Sequence, residues 1–119
     1  MQYMALIYSS ARAGDDPVPG TPEFDAMMAP WIALDKRLRD DGVFVAGDAL
    51  MPVETATCVR IRGGKTETMD GPFAETKEQL GGYYLLDCPD LDTALKYAAM
   101  IPVAEHGTIE VRPVMDLNF

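Results

Sequence analysis

The first apolar stretch of the chain lies at residues 3–8. It has no charged residue, and its two alternating sets, Tyr3-Ala5-Ile7 and Met4-Leu6-Tyr8, are both apolar. Because alternate residues of a strand point to opposite faces of a sheet, both faces of this stretch favour burial. We therefore predict a strand that is covered on both sides.

The second pattern has the spacing of a helix. Thr21 is suited to the N-cap, Pro22 to the first helical position and Gly42 to the C-cap. Between them, apolar residues recur three or four positions apart: Phe24, Met27, Met28, Trp31, Leu34 and Leu38. Pro30 interrupts this stripe, because proline cannot donate the backbone hydrogen bond of a helix interior. We expect a kink at Pro30 or a break into two shorter helices.

The middle of the chain alternates as strands do. Residues 43–50 are predicted to be a strand with a bulge at Gly47. Residues 55–62 form a further strand, in which Val59 and Ile61 share one face and Arg60 and Arg62 share the other. Two glycines then precede a short returning strand at 66–69. The sequence therefore predicts a hairpin here.

The segment "DGPFAETKEQLGGYYLLD", residues 70–87, joins a turn signal to charged residues and then to an apolar run. Its Asp-Gly-Pro start favours a turn, and Pro72 can open one or two turns of helix. Residues 82–87 are predicted to be a strand with apolar side chains on both faces. The charged part is interpreted either as a small-molecule site or as a capped surface turn with solvated charges.

The last third predicts a helix followed by a strand. Asp90 is the expected N-cap, and the expected buried stripe is Leu91, Ala94, Leu95, Ala98 and Ile101. Pro102 closes the helix, and residues 107–114 form the last strand. The whole chain, residues 1–119, is read as a single α+β domain. Its order is a ferredoxin-like βαββαβ with an extra short hairpin strand and an antiparallel sheet.

Two helices can cover only one face of such a sheet. The other face is expected to be apolar as well, because the strands at 3–8 and 82–87 are apolar on both sides. We therefore predict a homodimer that forms through the uncovered sheet face. The alternative is that loops or the C-terminal tail cover this face.

The charge of the chain argues against nucleic acid as a partner. There are 19 acidic and 10 basic residues, for a net charge of −9. A protein that binds nucleic acid needs a positive surface for the phosphates. The nearest approach to one is a short basic patch made by Arg60, Arg62 and Lys65, and the field of the whole chain opposes it.

Cysteine usage and the N-terminus indicate a cytoplasmic protein without a cofactor. Cys58 and Cys88 belong to no CxxC pair, and one histidine is too few for an ordinary zinc site. The start of the chain shows no basic segment before its apolar run, which argues against a secretory signal. No apolar run reaches the ~20 residues of a membrane span. We expect a cytoplasmic location, reduced thiols and no membrane partner.

The segment at residues 70–87 resembles the signature of the DGPF-type proteins in the YCII-related family. The resemblance extends to "MQYMALIY" at the start, to "GVFVAGDAL" and "TATCVRIRGGKTETM" in the middle, and to "ALKYAAMIPVAEHGTIEVRPV" near the end. It implies a ferredoxin-like fold that assembles as a dimeric α/β barrel. The biochemical role of the family is largely unassigned.

The resemblance also implies candidate chemistry. Some DGPF-type proteins are encoded beside extracytoplasmic-function sigma factors, and a few YCII relatives are lyase-like enzymes that act on chlorinated aromatic rings. The YCII branch is thought to use a His-Asp pair, whose aspartate corresponds to Asp70. Its histidine lies near the start of the first helix, where this chain has none; the single histidine here is His106.

Two functions follow as hypotheses. The first is small-molecule binding in a cleft near Asp70, with a role accessory to transcriptional regulation. The ligand-binding candidates are Asp70, Gly71, Phe73, Glu75 and Lys77. The alternative is a cofactor-free lyase or hydrolase that uses Asp70 with His106 or Tyr8 as acid and base.

Overall fold

A computed structural model of the chain describes residues 1–11 and 14–118. Six strands and two helices follow one another: β1 (Gln2–Ser9), α1 (Pro22–Asp40), β2 (Phe44–Ala49), β3 (Thr57–Arg62), β4 (Lys65–Asp70), β5 (Gln79–Asp87), α2 (Leu91–Ala98) and β6 (Thr108–Pro113). Short 3₁₀ turns lie at Val53–Thr55 and Pro102–Glu105. No helix in the described part of the chain is both long and apolar enough to cross a membrane.

The main sheet has four strands in the order β2-β5-β1-β6, and all its pairs are antiparallel. With α1 and α2 this is the expected ferredoxin-like α+β fold, and the single chain does not close into a barrel. The expectation of one extra hairpin strand is wrong. Both β3 and β4 leave the main sheet and pair with each other as a separate two-stranded sheet.

The two faces of the main sheet differ in their cover. On the covered face, Tyr3, Ala5 and Ile7 of β1 lie beside Leu86 and are buried under the helices. The helices and the segment after α2 contribute the rest of this core: Leu34, Leu38, Ala94, Ala98 and Ile101. The alternation predicted for residues 3–8 thus places one set of side chains in the core.

The other face, which we call the open face, has no helix over it. Its centre is apolar, with Met4 and Leu6 of β1 beside Leu85 of β5. These three side chains are only partly buried. In the described part of the C-terminal tail, Met115 and Leu117 are 76% and 59% exposed, so these two residues do not cover the open face.

Helix α1 begins as its sequence predicts. The Thr21 side chain accepts a hydrogen bond of 3.2 Å from the backbone N–H of Phe24, and Pro22 follows it. The predicted break at Pro30 does not occur, since the helix is continuous from Pro22 to Asp40. Pro30 is exposed, while Leu34 and Leu38, one and two turns further along the helix, are buried and form its apolar side. Packing of that apolar side outweighs the single lost backbone bond.

Two other local expectations are corrected by the structure. The irregularity of β2 lies between Phe44 and Ala46 rather than at Gly47. In α2, Asp90 caps the helix as expected, accepting a bond of 2.8 Å from the N–H of Thr93. However, Leu91 and Leu95 of the predicted stripe are exposed, at 44% and 45%. A helix of eight residues covers the sheet mainly with its small residues.

The C-cap of α1 connects the two helices. The Asp41 carboxylate accepts a hydrogen bond from Arg37 Nε and another from the Tyr97 hydroxyl on α2, each 2.7 Å long. The bond from Arg37, followed by that from Tyr97, lowers the pKa of Asp41 below its usual value. The ionised carboxylate therefore holds α1 against α2.

Candidate functional site: a cleft on the covered face

A cleft of about 660 Å³ opens on the covered face, between α1 and the turn that follows α2. Its floor is the end of the main sheet, where Ile7, Ala49 and Gly82 lie side by side on one face. Helix α1 supplies one wall with Met27, Met28 and Trp31, and the segment after α2 supplies the other with Pro102, Val103 and His106. The fold thus leaves a space large enough for a small organic molecule.

Glycines keep the floor of this cleft low. A Cβ at Gly82 would lie 2.8 Å from the carbonyl oxygen of Asp48, and a Cβ at Gly47 would lie 2.7 Å from the ring of Tyr84. Real Cβ atoms do not approach other atoms so closely, so both positions favour glycine. Because neither residue has a side chain, the space above the floor stays open.

Aromatic rings form one side of the cleft. The rings of Trp31 and Tyr84 are stacked with centroids 6.5 Å apart, and Phe44 meets Tyr84 edge-on at 6.3 Å. Burial, and then the charge of Asp35, raises the pKa of the Tyr84 hydroxyl. This wall offers flat, apolar surface of the kind that binds an aromatic or aliphatic group.

The charged residues that line the cleft are mostly acidic. The acidic residues of the lining are Asp16, Asp35, Asp48 and Glu54, whereas Arg39 is the only lysine or arginine among the described lining residues. Arg39 donates to Asp35 over 2.9 Å and lies 4.1 Å above the ring centre of Phe44. Since the arginine already has partners, the field in the cleft disfavours an anionic ligand.

The signature segment reaches a second, smaller groove. This groove has a volume of about 330 Å³ and is lined by Pro72, Glu75, Thr76 and three residues that also line the cleft: Val53, Glu54 and Gln79. The two spaces therefore adjoin. Of the predicted ligand-binding residues, Glu75 lines the groove, while Asp70, Gly71, Phe73 and Lys77 line neither space.

The signature segment is irregular between its turn and β5. Residues 71–78 form no helix, so the predicted helical turns are wrong. Gly71, with a φ of +87°, donates its N–H to the carbonyl of Ala56 over 2.6 Å. Among the described residues nothing donates a hydrogen bond to the Asp70 carboxylate, and Phe73 is 85% exposed. The backbone at Gly71, rather than the Asp70 side chain, fixes this turn.

The predicted catalytic residues lie in three different places. His106 lines the cleft on the covered face. Tyr8 follows Ile7 in β1, so its side chain points to the open face, and Asp70 ends β4 outside the main sheet. Gly107 lies against the Tyr8 backbone, since a Cβ there would be 2.3 Å from the Tyr8 carbonyl oxygen. Within one chain, the cleft therefore holds His106 without Asp70 or Tyr8.

Similarity to known proteins extends over most of the chain. The sequence profile of the YCII-related domain matches residues 1–118. The chain belongs to the YCII-related family. An uncharacterized protein of Rhizobium meliloti (strain 1021) is 40% identical over 94 residues, which cover 77% of this chain and 76% of the relative. Neither comparison assigns a reaction to this YCII-related chain.

Sequence reasoning missed two features of the site. Trp31 and the methionines of α1 were interpreted only as core, because a cleft wall and a core helix share the same spacing. Glu78 of the signature segment lines neither space, and its Oε1 accepts a bond of 3.0 Å from Thr108 Oγ1. Its Oε2 is buried without a hydrogen-bond partner in the described residues. The glycine pair before the tyrosines, at 81 and 82, was the available signal for an open floor.

Proposed function

We propose that this YCII-related chain binds a small molecule in the cleft on its covered face. The observation that carries the proposal is a space of about 660 Å³ with a glycine floor and a wall of stacked aromatic rings. Pockets of this size and lining are typical of sites for small ligands. The adjoining groove at Glu75 extends the region toward the family signature.

The chemistry of the lining favours a particular ligand class. Trp31, Tyr84 and the methionines would surround an apolar or aromatic body, whereas the carboxylates of Asp16 and Glu54 would attract a cationic group or tolerate a neutral one. An anionic ligand would meet these carboxylates without a free arginine to balance them. We therefore propose a neutral or amine-bearing ligand with an apolar body.

Fluorescence of Trp31 provides the test, because Trp31 is the single tryptophan of the chain. Three probes of the same ring and similar length are titrated: 2-phenylethylamine, 2-phenylethanol and 3-phenylpropionate. We expect saturable changes in Trp31 emission with the amine and the alcohol, and binding of the carboxylate that is weaker by about tenfold or more. Absence of a saturable change with all three probes would contradict the proposal.

Two variants then locate the site by calorimetry. Trp31→Ala should weaken binding of 2-phenylethylamine by about tenfold, since aromatic contacts contribute on the order of 1–2 kcal/mol. Asp70→Asn tests the part that the signature plays. Equal loss in both variants would support Asp70, Gly71, Phe73 and Lys77 as site residues together with the cleft. Loss in Asp70→Asn alone would move the site away from the cleft.

The alternative, a cofactor-free lyase or hydrolase, is supported by the position of His106 in the cleft wall. An ordinary imidazole can exchange protons near neutral pH. Its partners Asp70 and Tyr8 lie elsewhere in the same chain, so the geometry favours binding over catalysis. A role accessory to transcriptional regulation and a cytoplasmic location stay predictions from the sequence.

The proposed assembly is a homodimer through the open face. Its support is the partly buried apolar centre formed by Met4, Leu6 and Leu85, over which the described chain places no helix. The buried Oε2 of Glu78, on the same side as Thr108, also lacks a donor within the described chain. A second copy of the sheet would exclude water from this centre.

A further inference from the structure

The hairpin made of β3 and β4, which we call the arm, is exposed to solvent on both of its faces. All six residues of β4 are exposed, and in β3 only Cys58 is partly buried. The two strands pair with each other and with no other described strand. An isolated two-stranded hairpin is marginally stable in water, so a packing partner is expected.

The two faces of the arm have different chemistry. Register places Val59 opposite Thr68 and Ile61 opposite Thr66, so one face is rich in β-branched residues from Val59 to the turn. Asp70 lies on the same face at its base, opposite Thr57. We call the part from Val59 to the turn the uncharged face. Val59 is 67% exposed and Ile61 is 64% exposed. The other face carries most of the charges, including an ion pair of 3.8 Å between Arg60 and Glu67. The uncharged face is therefore the one whose burial against another surface would be favourable.

The dimensions of the chain agree with a projecting arm. The radius of gyration is 16.6 Å, and the largest extents are 49 and 44 Å. A compact chain of this length would have a radius of gyration of about 13.5 Å. The arm therefore extends away from the body and its uncharged face is accessible to a second molecule.

Charge identifies a second copy of the chain as the partner. The arm has three basic residues, Arg60, Arg62 and Lys65, and two acidic residues, within a chain of net charge −9. The rest of each copy is thus strongly acidic and attracts the tip of another copy's arm. Nucleic acid would be attracted by the same tip but repelled by the rest of the chain.

The open face supplies a complementary surface. Both edge strands of the main sheet carry a carboxylate on this face: Asp48 on β2, which accepts a bond from the Tyr83 hydroxyl, and Glu110 on β6, which pairs with Arg112 over 2.8 Å. The apolar centre lies between them. An interface of ordinary size needs about 800 Å² and roughly 20–30 residues from each partner, more than the arm alone provides. The arm and the open face must therefore act together.

We propose that the arm of each copy reaches across the dimer and packs on an edge of the other copy's sheet. The face with Val59 and Ile61 contacts the partner. Arg62 and Lys65 lie on the opposite face of the arm, where their charge adds to the attraction between the arm and the acidic partner. A two-fold axis makes the contact reciprocal, so two arms clasp one pair of facing sheets. This inference rests on the proposed homodimer and adds the arm as a second contact.

Sedimentation of matched variants tests the arm. The variant Val59→Asp/Ile61→Asp places charges on the uncharged face of the arm. The control Val18→Asp/Ile32→Asp makes the same changes at residues of equal exposure, since Val18 and Ile32 are 69% and 65% exposed. We expect the arm variant to raise the dimer dissociation constant by about tenfold or more, and the control by less than about threefold.

The outcomes separate the two proposals about assembly. A wild-type chain that sediments as a single copy at micromolar concentration overturns both the dimer and the arm contact. A dimer whose dissociation constant is unchanged in the arm variant overturns the arm contact alone. Far-UV circular dichroism confirms that each variant is folded. Titration of the cleft probes stays independent of both outcomes.

Hydrogen exchange of the wild-type chain gives a readout that needs no variant. If the arm packs on a second copy, amides of residues 57–70 exchange more slowly at concentrations above the dimer dissociation constant than below it. We expect slowing of about tenfold or more at the middle of the arm. Exchange in this segment that is unchanged while the dimer forms would overturn the arm contact.

Discussion

The main sheet and the arm are built from similar strand sequences and end in opposite environments. In β1, every second residue from Tyr3 to Ile7 is buried, and the strand is paired on both sides. In β3 the same alternation, from Thr57 to Arg62, leaves both faces in solvent, and the strand is paired on one side. Both regions satisfy their backbone with antiparallel ladders.

The difference teaches that alternation predicts a strand but does not determine what covers it. Residues of β1 are covered because two helices of the same chain lie above them. The uncharged face of the arm has no such element within reach in the described chain. Burial in β1 is therefore encoded within one chain, whereas burial of the arm depends on a second molecule.

The largest effect expected is a contrast between the two regions in the stability of the single chain. Leu38 is 1% exposed and Ile61 is 64% exposed. Leu38→Ala leaves a cavity under α1 and should lower the free energy of unfolding by about 2–5 kcal/mol. Ile61→Ala should change it by less than about 0.5 kcal/mol. Urea unfolding at a concentration where the chain is a single copy measures both.

The same pair of variants tests whether the arm is exposed in the single chain. If Ile61→Ala destabilises the single chain as much as Leu38→Ala, the arm is buried within its own chain and needs no partner. If its cost appears only at concentrations where dimers form, the arm is stabilised by the second copy.

An intermediate effect is expected at two adjacent glycines. A Cβ at Gly82 would lie 2.8 Å from the carbonyl of Asp48, whereas a Cβ at Gly81 would have no neighbour closer than the Ile7 carbonyl at 4.0 Å. Gly82→Ala should therefore destabilise the chain by about 1–3 kcal/mol. Gly81→Ala should change the stability by less than about 0.5 kcal/mol.

Thermal unfolding and the Trp31 titration together check the glycine pair. Gly82 belongs to the floor of the cleft, so its substitution should also weaken probe binding. If Gly82→Ala is as stable as Gly81→Ala, β2 and β5 can move apart at this point. The floor of the cleft would then not depend on the close approach of Gly82 to the Asp48 carbonyl.

Most of the body could be predicted from sequence because its signals are local. The cap at Thr21, the stripe through Leu38 and the alternation of β1 each specify an element and its buried side. The course of α1 through Pro30 could not be predicted, since it depends on packing of the helix through Leu34 and Leu38. The separation of β3 from the main sheet depends on which strands pair, and alternation is the same in either case.

The candidate site was less accessible to sequence reasoning. The charged residues of the signature point to Asp70 and Lys77, while the cleft is lined by Trp31, Gly82 and His106, which are distant from one another in the chain. A cleft is formed by the absence of side chains above a sheet. Only the pairing of β2 with β5 reveals that Gly47 and Gly82 share that floor.

The smallest effect expected on the free energy of unfolding comes from removing single charges. We compare one carboxylate in the body with one in the arm. The Asp41 carboxylate accepts bonds of 2.7 Å from Arg37 and Tyr97, and its lowered pKa means that the folded state favours the ionised form. A group with a lowered pKa stabilises the fold above its unfolded pKa, and this stabilisation is lost as the pH falls through the folded pKa. Asp41→Asn should therefore cause a small loss of stability that is constant near neutral pH and shrinks as the pH falls below about 4. The matched control is Glu67→Gln in the arm, which removes a pair of 3.8 Å between half-exposed side chains and should change stability by about 0–0.5 kcal/mol. Urea unfolding from pH 7 to pH 3 measures both variants, and a loss in Asp41→Asn that persists unchanged at pH 3 would show that the contact between the helices does not depend on the charge of Asp41.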